Sequence, residues 1–394
     1  MLNVAIVGCG NISPQHIRGY LAFPDEARIV ALCDIVSSRA TDKAVKFGLV
    51  GSDGIPTVAI YDHISEVLAR KDIDVVSIAT PPGTHAELTI QALEAGKHVI
   101  VEKPMAPTLA ECDAMIEAAR SNNRLLSVIS QNRFRDDIAL LKALIDSGLL
   151  GEITAIQVDS AWWRGLEYYD VDWRGTWESE GGGPTLNHAI HHLDLTAWLM
   201  GDSPQAVSAL MTNAAHENSE VEDLSVAILQ YPRALATVIA SVIHHGQQQR
   251  FSIHGRNATV ELPWQVRAEV SEKSGHPNEN GNLELIAQLE ALRANLPELS
   301  VRGHVAQIGD VLAAISEGRV PMVTGEEGRR TVEIVLAIYR AAIERKVIDL
   351  PIAKDNPWYS GEALLELAPR YFKKTGFVTE TYAPSSAKAA RWEQ

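Results

Sequence analysis

The chain reads as an α/β protein in two parts. Residues 1–130 are expected to form a doubly wound parallel sheet. Residues 131–394 are expected to form a second α/β domain with a large, open, mostly antiparallel sheet. Three observations carry this. Strand-type and helix-type periodicities alternate through the first 130 residues. A glycine turn, Gly8-Cys9-Gly10-Asn11-Ile12-Ser13, joins the first strand to the first helix. Beyond residue 220, strand-like runs follow one another on short connections, which favours antiparallel neighbours.

The elements follow in order. Residues 2–7 are an apolar run ending at Gly8, and residues 14–23 carry Pro14 in what would be a helix's first turn. Residues 28–33 are a second apolar run, 38–47 have helical spacing, and 57–61 are a weaker strand. A clear strand over 73–79 precedes a helix over 84–95, which Gly96 can stop. Strand, helix and strand follow over 98–101, 109–120 and 125–130. The pattern then changes to a helix over 136–147 and an extended segment over 152–163. Strands are read over 224–230, 235–243, 249–254 and 259–262. Helices over 190–200, 283–294, 304–316 and 328–345 are expected to cover that sheet. Residues 275–282 are rich in turn formers and read as a surface loop. Residues 352–394 are a C-terminal extension, expected to pack on the second domain or on a partner subunit.

Composition narrows the function classes. The 394 residues suit two or three domains. The formal net charge is −15, with no basic stripe, so neither nucleic acid nor an anionic membrane is an expected partner. Cys9, Cys33 and Cys112 form no CxxC pair and no disulfide framework, which fits a reducing cytoplasm. The longest run free of charged and strongly polar residues, near 234–243, is half a membrane span and reads as a strand. The N-terminus shows no signal-type leader, so a cytoplasmic location is expected.

The glycine turn has a chemical use. Gly8 permits the tight turn, and Gly10 lets the backbone of Asn11 and Ile12 approach a pyrophosphate at the helix N-terminus. Asp34 closes the second strand, where a carboxylate accepts hydrogen bonds from ribose hydroxyls and repels a 2′-phosphate. NAD is therefore expected over NADP, with Arg39 close enough to keep NADP open. Thr80, Pro81, Pro82 and His85 sit at the carboxyl edge of the next strand, where ligands bind. Lys103, at the end of a buried strand and followed by Pro104, is an unusual residue for that place. Burial and a nicotinium charge would lower its pKa enough to exchange a proton with a carbinol. The Lys103–Pro104 bond is a candidate cis bond.

GCGNIS, ATPPGTH, AGKHVIVEKPM and GGGPTLNHAIHHLDLTAWLMG occur in one order and spacing. Together they resemble the Gfo/Idh/MocA family (glucose–fructose oxidoreductase and inositol dehydrogenase) over roughly residues 2–350. The resemblance implies an N-terminal Rossmann domain, a C-terminal open-sheet domain that builds oligomers, and NAD(P)-dependent chemistry at a hydroxyl carbon. Glu102 and Lys103 match the family's Glu-Lys-Pro motif, whose lysine is catalytic or substrate-binding. Many members carry Asp-x-x-x-His where this chain has Asn187 and His191. At i, i+4 these two would share one helix face. Asn187 can bind a hydroxyl but supplies no charge. His188, His192 and Asp194 lie beside them. Three histidines in a row of seven residues suggest a metal, but no HExxH is present, and no metal is expected.

Trp163-Arg164-Gly165 recurs as Trp173-Arg174-Gly175, in a segment rich in Trp and Tyr. Aromatic faces stack on sugar rings, and arginine forks bind hydroxyls or carboxylates. Gln131 and Arg133 follow the last strand of the first domain, where the family reaches cofactor and substrate. The expected catalytic residues are Lys103 and His191. The expected cofactor contacts are Gly8, Gly10, Asn11, Ile12, Asp34, Thr80, Pro81, Pro82, His85, Glu102, Lys103, Gln131 and Arg174. The expected substrate contacts are Lys103, Arg133, Trp163, Arg164, Asn187, His188 and His191. The reading is an NAD-dependent dehydrogenase of a sugar, glycoside or cyclitol, assembled as a homodimer or homotetramer through the second-domain sheet. Two rivals stay open: an NAD-dependent glycoside hydrolase that oxidises and eliminates, and a non-catalytic dinucleotide-binding regulator.

Overall fold

A computed structural model describes residues 1–171 and 173–375. The first domain runs β1 (Leu2–Val7), α1 (Ser13–Leu21), β2 (Ala27–Cys33), α2 (Ser37–Lys46), β3 (Ala59–Tyr61), α3 (Ile64–Ala69), β4 (Val75–Ile78), α4 (His85–Glu94), β5 (His98–Val101), α5 (Leu109–Ser121) and β6 (Leu126–Val128). All six strands are parallel, in the order β3-β2-β1-β4-β5-β6. The order reverses between β1 and β4, and the crevice at such a switch point is where open α/β sheets hold ligands. β4 is buried along its whole length, as a central strand covered on both faces must be. The short helix α3 was not anticipated. Its six residues bury only Val67, too little for a periodic signal.

The second part comprises α6 (Asp136–Asp146), β7 (Ile153–Trp163), α7 (Pro184–Asn187), α8 (Ile190–Met200), β8 (Ala206–Thr212), β9 (Leu224–Gln230), β10 (Leu235–Ser241), β11 (Ile243–Gly255), β12 (Thr259–Leu262), β13 (Gln265–Arg267), α9 (Leu283–Asn295), α10 (Gly303–Glu317), α11 (Gly325–Glu344), β14 (Ile348–Asp349) and α12 (Glu362–Leu367). Its eight strands lie in the order β13-β12-β11-β7-β10-β9-β8-β14. Only β7 and β10 pair in parallel; the other neighbours are antiparallel. β9 alternates buried and exposed residues, so one face is packed. α8 and α11 cover that face. The other face leaves Leu210, Val226, Ile228, Leu235 and Ile239 exposed.

Two expectations need correction. The helix over 304–316 does not cover the open sheet. As α10 it packs on α1, where Gly19 admits Ile308 and Gly309 admits Phe23. Gln307 also spans the end of β6, accepting from the Ser130 N–H and donating to the Val128 carbonyl. Nor do Asn187 and His191 share one continuous helix. The chain breaks between α7 and α8, with His188 at φ −116°.

The segment after β14 returns across both domains. Trp358 and Tyr359 are buried. Trp358 donates to Glu344 on α11, and the Tyr359 hydroxyl meets Asp113 on α5. Trp177 and Tyr371 donate to the carbonyls of Pro369 and Met211. Ala363 and Leu364 are buried, whereas Leu365, Leu367 and Phe372 are exposed, so only part of this segment packs as expected. The remainder of the expected extension, 376–394, lies outside the described residues.

Candidate active site

The dinucleotide cradle is built from backbone. Gly8 has φ +92°, and a Cβ there would stand 2.5 Å from the Ala79 carbonyl oxygen, so no other residue fits. A Cβ on Gly10 would meet nothing within 4 Å, which leaves open space above the turn. Ile12, at the start of α1, supplies no side-chain cap, so the first helical N–H groups stay available to an anion. Ser13 stands where a third small residue is usual and is fully buried, its hydroxyl donating to the Gly10 carbonyl at 2.8 Å. The Asp34 carboxylate accepts from the N–H groups of Cys9 and Val36 at 2.8 and 2.9 Å, which fixes it at the rim. Arg39 is 3.9 Å from it. The cradle, the uncapped helix end and the fixed carboxylate fit NAD.

His85 and Glu102 were expected on the cofactor, and the structure gives them other work. His85 is buried, with its ring nitrogens 2.8 Å from the carbonyls of Thr80 and Pro104. It ties the Thr80–Pro82 turn to the lysine loop. Burial pulls its pKa down. Glu102 is buried, and its Oε1 accepts from Nε2 of His16 and of His304, each at 3.0 Å. Its Oε2 accepts the Lys103 N–H at 3.1 Å. Burial alone would push this carboxyl up; the two imidazole hydrogen bonds outweigh it and hold the group well below the usual range. His16 Nδ1 lies 2.7 Å from Ser77 Oγ, extending the cluster inward. His16, Glu102 and His304 are a metal-type grouping, their ligand atoms within 4.8 Å of one another. Sequence reading missed it because the three come from α1, the end of β5 and α10.

Lys103 leaves β5 through a cis bond to Pro104, as anticipated. Burial pulls its ammonium pKa down; Glu102 opposes this and Arg174 adds to it. Lys103 and His191 line one small void. His191 also lines a cavity of about 1190 Å³, together with Gln131, Trp162, Asn187 and His188. Burial first, then the charge of Lys103, holds the His191 pKa well below the usual imidazole range. His191 is therefore neutral near pH 7.

The opposite wall hangs on Gly181-Gly182-Gly183. A Cβ on Gly182 would stand 2.0 Å from the Tyr339 hydroxyl, and one on Gly183 would stand 1.8 Å from the Glu222 carbonyl oxygen. The buried Glu222 carboxylate accepts from the N–H groups of Gly183 and Thr185 and from the Tyr339 hydroxyl. Burial pushes its pKa up to about 7. Asn187 Nδ2 donates to the carbonyls of Gly182 and Gly183 at 2.9 and 3.2 Å, which leaves Oδ1 as its group for a ligand.

Around His188 stand Trp162 and Tyr168, with ring centroids at 5.5 and 6.0 Å. Arg164 lies over the rings of Trp162 and Tyr168. Arg174 lies 4.3 Å over Tyr168 and pairs with buried Glu180 at 2.8 Å. Burial pushes the Glu180 pKa up to about 6, against the pull of Arg174. Burial holds His188 well below the imidazole range, with Arg164, Lys103 and Arg174 adding to it. Gln131 Oε1, Trp162 Nε1 and His188 Nδ1 are buried without a partner among the described residues. Such atoms on a cavity lining are matched by a polar ligand or by water.

Two substrate contacts are corrected. Trp163 is 44% exposed and pairs with His245 on the outside. Neighbours on β7 face opposite ways, so Trp162 is the tryptophan that lines the cavity. Arg133 is buried, its guanidinium donating to both carboxylate oxygens of Asp194 at 2.9 and 2.7 Å and to Glu327 at 2.6 Å. It joins the second domain to the end of β6 and has no fork left for a sugar. Glu180 and Glu222 had no sequence signal beyond their place near the glycine run and the β9 strand.

Comparison with known proteins agrees with this architecture. Residues 2–130 match the model of the Gfo/Idh/MocA oxidoreductase family, NAD-binding Rossmann fold, and residues 138–261 match the Gfo/Idh/MocA C-terminal domain. The chain is 29% identical over 310 residues to scyllo-inositol 2-dehydrogenase (NADP(+)) IolW of Bacillus subtilis, covering 75% of this chain and 84% of that protein. It is 33% identical over 203 residues to D-glucoside 3-dehydrogenase of Escherichia coli, covering 51% and 54%. Among solved structures it resembles the WlbA dehydrogenase of Bordetella pertussis in complex with NADH and UDP-GlcNAcA. There the TM-score is 0.73 and the identity 28%, over 89% of this chain and 99% of that one. The chain belongs to the Gfo/Idh/MocA family of oxidoreductases, with that family's NAD-binding Rossmann domain and its C-terminal domain.

Proposed function

We propose that the protein is an NAD-dependent dehydrogenase that oxidises, or in reverse reduces, a ring carbinol of a sugar, glycoside or cyclitol. One observation carries this reading most strongly. A lysine with a burial-lowered pKa stands at the carboxyl edge of the dinucleotide sheet and shares a void with a neutral histidine, His191, from the second domain. Bound NAD supplies the hydride acceptor, nicotinamide C4. Lys103 takes the hydroxyl proton as the carbinol is oxidised, and His191 helps hold that hydroxyl. Asn187 Oδ1 accepts from a neighbouring hydroxyl, and Trp162 Nε1 donates to another. Gly10 and the N-terminus of α1 hold the pyrophosphate, while Asp34 takes the adenosine ribose and disfavours NADP. Arg174 braces Tyr168 and Glu180 beside the lysine. Orienting the carbinol against the acceptor supplies much of the acceleration.

The exposed face of the second sheet supports assembly into a homodimer or homotetramer. Its register places Leu210 opposite Val226 and Val226 opposite Ile239, one contiguous apolar row. A monomer mass for the wild type by light scattering would overturn that part. No helix among the described residues is long and apolar enough to cross a membrane. Three free buried cysteines support the cytoplasm as its place.

The test is a panel of monosaccharides, uronates, inositols and glycosides with NAD and NADP, followed by the absorbance of reduced cofactor. Net NADH formation on at least one class is expected. Released sugar without net NADH would favour the hydrolase instead. No turnover in either direction, with NADH binding intact, would favour a non-catalytic binder.

A further inference from the structure

The large cavity exceeds what one sugar ring needs. At about 1190 Å³ it lies above the ~300–1,000 Å³ typical of pockets that enclose a whole small ligand. A ring held between His191, Asn187 and Trp162 fills one end. Two consecutive histidines on α8, His191 and His192, both line it. His191 feels the charge of Lys103, whereas His192 stacks on Phe251 and feels the charge of Arg135. Beyond His192 the walls are Arg135, Trp264 from the β12–β13 turn, and Arg293 from α9.

The chemistry of that far end is polar and electrically balanced. Arg135 holds Asp137 with two hydrogen bonds, at 3.0 and 2.6 Å. Arg293 lies 4.7 Å over Trp264 and pairs with Glu290, which also accepts from Trp264 Nε1. Each cation there already has its carboxylate, so a diphosphate would find no unpaired positive charge. Gln248 and Gln249 of β11 line the same stretch with neutral amides that make no side-chain hydrogen bond to the described residues. Neutral amides beside an aromatic edge suit hydroxyls and a ring, and they bring no positive charge to a phosphate.

We propose that this far half is a second subsite for a neutral aglycone or second sugar ring, so that the substrate is a neutral glycoside of disaccharide size. Free inositols, monosaccharides and nucleotide-diphosphate sugars leave it unfilled or mismatched. The proposal rests on the dehydrogenase reading for the near end, and the test separates the two.

The experiment uses the full chain with NAD and compares a neutral disaccharide, the matching methyl glycoside, myo-inositol and a UDP-hexose. Binding of each sugar to the NADH-loaded protein is measured in parallel by calorimetry. The disaccharide is expected to exceed the methyl glycoside at least tenfold in kcat/KM and in affinity. Trp264→Ala and, separately, Gln249→Ala should shrink that ratio, mainly through KM. Equal values for disaccharide and methyl glycoside in the wild type, or a ratio unmoved by both variants, would overturn the subsite. So would a UDP-hexose preferred tenfold. If the disaccharide binds tenfold better and the variants remove that advantage, but no substrate is turned over, the subsite stands and the dehydrogenase reading falls.

Discussion

Two glycine turns shape this molecule, one in each domain, and their glycines are there for different reasons. At Gly8-Cys9-Gly10 the constraint is local plus a ligand: one glycine turns the chain under Ala79, and the other leaves space that no atom of the described residues enters. At Gly181-Gly182-Gly183 the constraint is distant: Tyr339 and Glu222, far along the chain, press against the places a Cβ would occupy. The first turn is shaped for what binds. The second is shaped by what packs behind it, and it presents Asn187 to the cavity as a consequence. Glycines of the two kinds should therefore respond differently to the same substitution.

Gly183→Ala should destabilise more than the same substitution at Gly10 of the first turn. Its Cβ collides with backbone, which cannot yield like a flexible side chain, so about 3–5 kcal/mol of stability should be lost. Gly10→Ala should leave stability within about 0.5 kcal/mol yet weaken NADH binding at least ~10-fold, by filling the space a pyrophosphate needs. Denaturant titration with NADH fluorescence binding checks both. If both alanine variants fail in the same readout, the contrast between the turns is wrong.

Arg133 sharpens the same contrast, because its fork clamps the second domain to the end of β6. Arg133→Met removes the guanidinium from buried Asp194 and leaves Glu327 only Arg330 at 3.6 Å, so it should cost about 3–5 kcal/mol, the usual penalty for breaking a buried pair. Adding Asp194→Leu should recover part of that loss. A variant of unchanged stability that has lost sugar binding would return Arg133 to the substrate.

For Asp34 the readout is cofactor choice. Asp34→Ala removes one charged acceptor, so NAD affinity should fall by about 1.5–3 kcal/mol at most, while the preference for NAD over NADP shrinks. Kinetics with both cofactors decide it. A wild type that already prefers NADP tenfold would contradict the role given to this carboxylate.

The first domain was more legible than the second for a physical reason. Its signals are short in sequence: a strand, a turn and a helix N-terminus define the cradle, and the three residues that follow β5 supply Glu102, Lys103 and the cis proline. Even so, His85 and Glu102 were placed one layer too far out, because their partners Pro104, His16 and His304 cannot be found from local spacing. In the second domain the strands β9 and β12 and the helix α8 were readable from periodicity. The break before α8 was not, since Asn187, His188 and His191 fit helical spacing either way. Trp162 and Trp163 were separable only by the alternation of β7, which needs the sheet's inner face to be known. Arg133 carried every sign of a ligand fork until Asp194 and Glu327, distant in sequence, were brought to it.

In the proposed reaction Lys103, carried by the first domain, moves the proton while the second domain's His191 assists. Steady-state kinetics of Lys103→Met and His191→Ala on one confirmed substrate test it, with NADH affinity measured separately. If deprotonated Lys103 is the acceptor, wild-type oxidation should climb with pH through a value below the ordinary lysine 10.5. Lys103→Met should lose at least ~10²-fold in kcat together with that inflection, keep NADH binding, and suffer more than His191→Ala. Near-normal turnover in Lys103→Met beside a dead His191→Ala would contradict the account and give the proton to the histidine.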